Sequence, residues 1–269
     1  GTAGTGGFSN YGSSVGAFDS AVIDAIITFF MVLFGINFAL FYRVLVGGWR
    51  DALRSEELHW YLALFAGSTL FVSLMILPQY GTFLNALRYG SFQVATIMST
   101  TGYATADFNL WPQAVKALIV VLMFIGSCAG STAGGIKVVR GGILCKLGCR
   151  EVRRTFQPRK VQVVRFEGKG VEENRLTQVS AFFFVYVLLV LVGMFLVSLE
   201  GLYDLETNFT AVLTCISNVG PGLGHVGPVE NFSGYGPFAK VVLSLLMLAG
   251  RLELFPILVL FHPSAWRKG

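Results

Sequence analysis

Three short stretches of this 269-residue chain carry residue types suited to holding a bare cation. They are Thr5-Gly6-Gly7-Phe8-Ser9, Thr100-Thr101-Gly102-Tyr103-Ala104 and Asn218-Val219-Gly220-Pro221-Gly222. Backbone carbonyls turned inward can replace an ion's hydration shell, and Gly reaches the φ values that such a turn requires. Phe8 or Tyr103, next in line, is expected to brace its loop from behind. One loop cannot encircle an ion, whereas four around an axis can. The loops recur at intervals of roughly 100 residues, each ahead of an apolar segment.

A different kind of glycine cluster lies between the second and third loops. Residues 125–140 read IGSCAGSTAGGIKVVR, with ALIVVLMF before them and GGILCKLG after. Each Gly in mid-helix costs roughly 1 kcal/mol relative to Ala. Broken backbone at membrane depth is tolerated only where protein buries it or where it lines a cavity. The run therefore predicts a helix interrupted inside a bilayer. It is not a phosphate-binding loop, because Gly-Lys-[Ser/Thr] is absent and Ile136 stands before Lys137.

The elements that must position these loops are apolar spans. The chain is 54% hydrophobic and 13% charged, against about 25% charged in a soluble domain. Segments 20–45, 58–77 (closed by Pro78), 176–199 and 237–261 are long enough to cross, and 112–147 is the interrupted crossing. Two shorter apolar stretches, 83–98 and 207–217, each precede a Gly loop and are predicted to be re-entrant helices. The repeating unit is crossing, re-entrant helix, loop, crossing. A re-entrant helix whose C-terminal end faces the bilayer centre presents partial negative charge to a cation. Two complete units and the back half of another are counted, which divides the chain into 1–57, 58–175 and 176–269. A fragment of a longer protein, with a fourth loop upstream, is expected. The fold class is thus an all-α membrane protein of repeated units around a pseudo-fourfold pore.

The net charge of +5 does not point to nucleic acid. Half of the 20 Lys and Arg crowd between Arg140 and Arg175, which is the positive-inside pattern of a cytoplasmic loop. By crossing parity, Arg43–Arg54 and the tail 266–268 share that side. Trp60, Trp111 and Trp266 fall at span ends, as interfacial aromatics do. Cys128, Cys145, Cys149 and Cys215 form no CxxC pair, and His59, His225 and His262 are isolated. No transition-metal site, disulfide framework or catalytic constellation is predicted. The sequons at Asn208 and Asn231 are read as chance matches.

The chain resembles the Trk/Ktr/HKT superfamily of potassium and sodium transporters, and most of all its TrkH-type membrane subunits. The resemblance rests on GGFS at 6–9, TTGYATADF at 100–108, FIGSCAGSTAGGIKVVR at 124–140, NVGPGLG at 218–224 and GRLELF at 250–255. It implies M1–P–M2 units around a K+-selective filter in a bacterial inner membrane, with the loops outside. The filter would comprise Thr5, Gly6, Gly7, Phe8, Thr100, Thr101, Gly102, Tyr103, Asn218, Val219, Gly220 and Pro221. Gly130, Ser131, Thr132, Ala133, Gly134 and Gly135 would be an intramembrane gate. Lys137 is read either as steadying the cytoplasmic edge of that loop or as reaching toward water. Arg251, a charge inside an apolar helix, is functional by default and is expected to bond the gate's carbonyls. A pair with Glu253 is disfavoured, since residues two apart on a helix do not face each other. Asp24 and Asn37 are read as buried hydrogen-bonding groups or polar residues at a helix interface. The resemblance further implies a homodimer and a cytoplasmic ring of nucleotide-binding (RCK/KTN type) regulatory subunits, with K+ as cargo and no cofactor. The basic loop is read as a topology signal or as a dock for that ring or for anionic lipid. The alternatives are a sodium-permeable or unregulated relative, or a non-conducting membrane scaffold.

Overall fold

The computed structural model describes residues 1–159 and 162–252. Ten helices and one small hairpin follow in order: α1 (Ala21–Phe34), α2 (Phe38–Leu45), α3 (Trp49–Leu53), α4 (Glu56–Tyr80), α5 (Phe83–Met98), α6 (Gln113–Ile125), α7 (Val138–Phe156), β1 (Arg165–Phe166), β2 (Lys169–Gly170), α8 (Glu173–Ser198), α9 (Leu205–Ser217) and α10 (Pro237–Arg251). α4 and α8 are each long and apolar enough to cross a membrane. Most of their surface faces outward: only 33% of the apolar window of α4 and 22% of that of α8 is buried. The shorter helices behave in the opposite way. From Phe92 to Met98 on α5, and from Thr210 to Ser217 on α9, every residue is buried. α5 packs against α4, α1 and α6, and α9 packs against α8, α10 and α6. Two short helices are thus buried among neighbours, and the long helices α4 and α8 leave most of their apolar surface facing outward.

Local chemistry sets the ends. Ser55 caps α4 by accepting from Leu58 N, with Glu56 and Glu57 in the first turn. Thr82 accepts from Asn85 N ahead of α5, and Asp204 accepts from Thr207 N ahead of α9. α6 stops at Gly126 (φ 67°), and α7 restarts after Lys137 (φ 72°).

Several expectations from sequence change here. Segment 20–45 is not one straight crossing but α1 and α2, bent by 89°. Gly35 N and Ile36 N close α1, and the Asn37 side chain accepts from Ala39 N to start α2. Pro78 does not close the second span: it lies inside α4, which runs on to Tyr80 and ends at Gly81 (φ 72°). The basic segment is not all loop, because α7 continues to Phe156 and the hairpin β1–β2 follows. The far part of segment 237–261, Glu253, His262 and the tail lie outside the described residues.

Candidate ion site and gate

The three Gly/Thr loops share one backbone design. Thr5 N donates to Thr2 O, Thr100 N to Ile97 O and Asn218 N to Cys215 O, each three residues back. The next amide reaches five residues back: Gly6 N to Gly1 O at 2.9 Å, Thr101 N to Thr96 O at 2.9 Å and Val219 N to Thr214 O at 3.0 Å. Such a pair is the left-handed termination of a helix. It explains the positive φ at Thr5 (48°), Thr100 (54°) and Asn218 (56°). One residue later φ is negative, and at Gly7 (63°), Gly102 (85°) and Gly220 (110°) it is positive again. Alternating hands lay successive N–H groups along one side of the chain, and so the carbonyls along the other. Asn tolerates the left-handed region, but for β-branched Thr it costs about 1–3 kcal/mol. Strain of that size persists only where the surroundings over-determine it.

The loops stand side by side in chain order. A Cβ on Gly7 would collide with Thr101 O. A Cβ on Gly102 would lie 2.6 Å from Val219 O, and one on Gly220 would lie 3.6 Å from Gly102 Cα. Further bonds tie the loops beyond the glycines. Gly16 N donates to Ala104 O, and Ala104 N to Ser14 Oγ. The Asn109 side chain clamps Gly224 twice, donating to its carbonyl and accepting from its amide, both at 3.0 Å. Tyr103 packs with Val15, Met31, Phe92 and Ala95, as a brace should. Phe8 does not: it is 92% exposed and braces nothing among the described residues. Pro221 has no amide to give, and the loop turns instead on Gly222 N to Val226 O and on Leu223 N to Thr210 Oγ1.

Residues 126–137 lie against these loops. Thr5 Oγ1 donates to Thr132 O, and Thr100 Oγ1 accepts from Gly134 N at 2.9 Å. Gly134 has no room for a Cβ, which would run into Ser217 O. The strained Thr residues of two loops and the end of α9 in the third therefore meet one segment. Arg251 Nη1 donates to Thr132 O at 2.6 Å, and Lys137 Nζ donates to Ala133 O. The remaining anchors come from the first helix pair, α4 and the end of α5. Cys128 N donates to Gly35 O, Phe38 N to Gly130 O and Ser127 Oγ to Met98 O. Glu57 Oε1 accepts from Ala129 N at 2.6 Å, and Asn37 Nδ2 reaches Glu57 Oε2 at 3.5 Å. A cavity of about 260 Å³ on the other side of the segment is lined by Lys137, Arg140, Arg251 and Gly130 through Gly135. Lys137, Arg140 and Arg251 put three cations around this cavity, beside the positive end of α7.

Sequence reasoning brought together the three loops, residues 130–135, Lys137 and Arg251. It missed Glu57, Asn109 and Ser127, whose partners lie far along the chain and leave no local pattern. Asp24 is the buried hydrogen-bonding group expected of it: its Oδ2 takes the Arg88 Nε–H at 2.6 Å with the carboxylate almost fully buried. Asn208, one of the two sequons, is buried and bonded to Ser198, Tyr203 and Tyr235.

Comparison with known proteins gives the family of the chain. The family model described as TrkH, a cation transport protein, matches residues 2–268. The Salmonella typhimurium Trk system potassium uptake protein TrkH is 37% identical over 98% of this chain and 54% of its own length. The Escherichia coli potassium uptake protein TrkG is 31% identical over 99% of this chain and 55% of its own. The crystal structure of the potassium transporter TrkH from Vibrio parahaemolyticus superposes with a TM-score of 0.92 at 34% identity, covering 99% of this chain and 57% of that one. The chain thus spans about half the length of the curated relatives it matches. On the family match along nearly its whole length, the chain belongs to the TrkH family of cation transport proteins.

Proposed function

We propose that this chain conducts K+ across the bacterial cytoplasmic membrane, with the Gly/Thr loops toward the outside. The threefold recurrence of the left-handed helix ending carries this reading. Thr5–Gly7, Thr100–Gly102 and Asn218–Gly220 have the same bonds and the same order of φ signs. Carbonyls of these residues, with those of Phe8, Tyr103 and Pro221, take the place of water around the ion. The buried C-terminal ends of α5 and α9 add partial negative charge. Residues 130–135 block the path, and Arg251 and Lys137 hold them closed. K+ is cargo, and no bond is made or broken. The relatives named as potassium uptake proteins support this choice of ion. A homodimer bearing a cytoplasmic ring of nucleotide-binding subunits is the assembly proposed.

The test is uptake of rubidium tracer into vesicles that hold the protein expressed from its complete open reading frame. Uptake that K+ suppresses and Na+ does not is the expected result. Equal suppression by Na+ would replace potassium selectivity with general cation permeation. No uptake above empty vesicles, in protein that is folded and inserted, would overturn the conducting role.

A further inference from the structure

Two clefts beside α7 join into one. A groove of about 930 Å³ runs between α4, α6, α7 and α8. Apolar side chains such as Leu64, Val121, Phe183 and Leu191 line it. A second cleft, about 890 Å³, is bordered by Lys146, Arg150, Arg153 and Arg165. Trp60 and Cys145 line both clefts, so the apolar groove opens directly onto the basic one. The junction lies where two spans begin. Glu56, at the head of α4, pairs with Lys146, and Glu173, at the head of α8, takes Arg150 Nη1 at 2.5 Å. The basic cleft therefore sits at the level where apolar spans give way to charge, and the groove extends from it along the spans. Trp60 is half exposed at that boundary, as an interfacial aromatic is.

The two unpaired arginines settle the chemistry of the occupant. Lys146 and Arg150 already face carboxylates, but Arg153 and Arg165 have no ion-pair partner among the described residues. Their charge points to an anion at the membrane surface, and the groove beside them suits a hydrocarbon chain. We propose that the joined cleft binds an anionic phospholipid, its phosphate among Arg153, Arg165 and Lys146 and one acyl chain in the groove. Basic clusters at this depth attract anionic headgroups. A bound lipid would bridge α7, the second half of the interrupted span, to its neighbours α4 and α8.

The probe is brominated phosphatidylglycerol or brominated phosphatidylcholine, each as a minor component of phosphatidylcholine vesicles holding the full chain. The Trp60 contribution is the difference in fluorescence quenching between the chain and Trp60→Phe. Brominated phosphatidylglycerol is expected to quench Trp60 at several-fold lower content than brominated phosphatidylcholine. The double variant R153Q/R165Q is expected to abolish most of that several-fold preference. Arg154→Gln removes a charge outside the cleft and is expected to leave it unchanged. Equal quenching by the two lipids would overturn the proposal. So would an equal loss in Arg154→Gln, which would mean diffuse surface charge. Absence of quenching by either lipid would mean that a second copy or another protein covers the groove, and it too would overturn the proposal.

Discussion

The Gly/Thr loops and the segment between α6 and α7 are both rich in glycine, yet they are held in opposite ways. Each loop is fixed from within its own unit, by amides reaching three and five residues back into the turn just before it. Segment 126–137 has few bonds of that local kind. Its partners are Gly35, Asn37, Glu57, Thr5, Met98, Thr100 and Arg251, contributed by almost every other part of the fold. A structure that must hold one geometry for an ion gains from local closure, since pre-set donors and dipoles need no rearrangement. A structure that must move gains from scattered bonds, each worth only about 1 kcal/mol net, because they can be released together.

Substitutions separate the two designs, and the loops should show the larger effect. Gly102→Ala places a methyl 2.6 Å from Val219 O at a φ of 85°. Tracer uptake should fall by more than about a hundredfold with the protein still inserted, because neither strain nor collision can be relieved nearby. Uptake near the parent level would mean that the loop is as pliable as the gate.

The gate should respond with gains instead of losses. Arg251→Gln removes a cation and its charge-assisted bond to Thr132 O. Such bonds contribute about 1.5–3 kcal/mol, so tracer flux should rise by roughly tenfold or more with unchanged preference for K+ over Na+. Unchanged flux would remove Arg251 from the gate. Glu57→Gln keeps an acceptor for Ala129 N but loses its charge. A rise of several-fold in flux is expected, consistent with about 1 kcal/mol, and a fall would mean that Glu57 serves the conducting form.

The smallest effect sharpens the contrast. Thr132 engages Thr5 and Arg251 through its carbonyl, and its hydroxyl has no partner among the described residues. Thr132→Val should therefore leave flux within about twofold. A larger change would assign a role to the side chain itself.

Much of this was legible in the sequence because it is local. Segment 83–98 coincides with α5, since Thr82 and the Ser99–Thr100 turn bound an apolar run on both sides. Segment 207–217 fell two residues short of α9, because Leu205 and Glu206 form a first turn that hydropathy does not reveal. The interruption at 126–137 was marked by its glycines. The 89° bend at 35–37 was not, since one Gly and one Asn inside an apolar run are ordinary in membrane helices. Pro78 also misled, because a Pro in the last turns of a long span can be accommodated when neighbours satisfy the freed carbonyl. Glu57 read as a first-turn acid, and its bond to Ala129, 72 residues away, has no signature in the chain order.

Anomalous scattering from crystals of the complete protein soaked in thallium(I), a heavy mimic of K+, tests the ion site most directly. Coordination by the three loops predicts a peak in direct contact with carbonyl oxygens from Thr5–Gly7, Thr100–Gly102 and Asn218–Gly220 at once. A peak outside these loops, or none beside them in a K+-displaceable position, contradicts it.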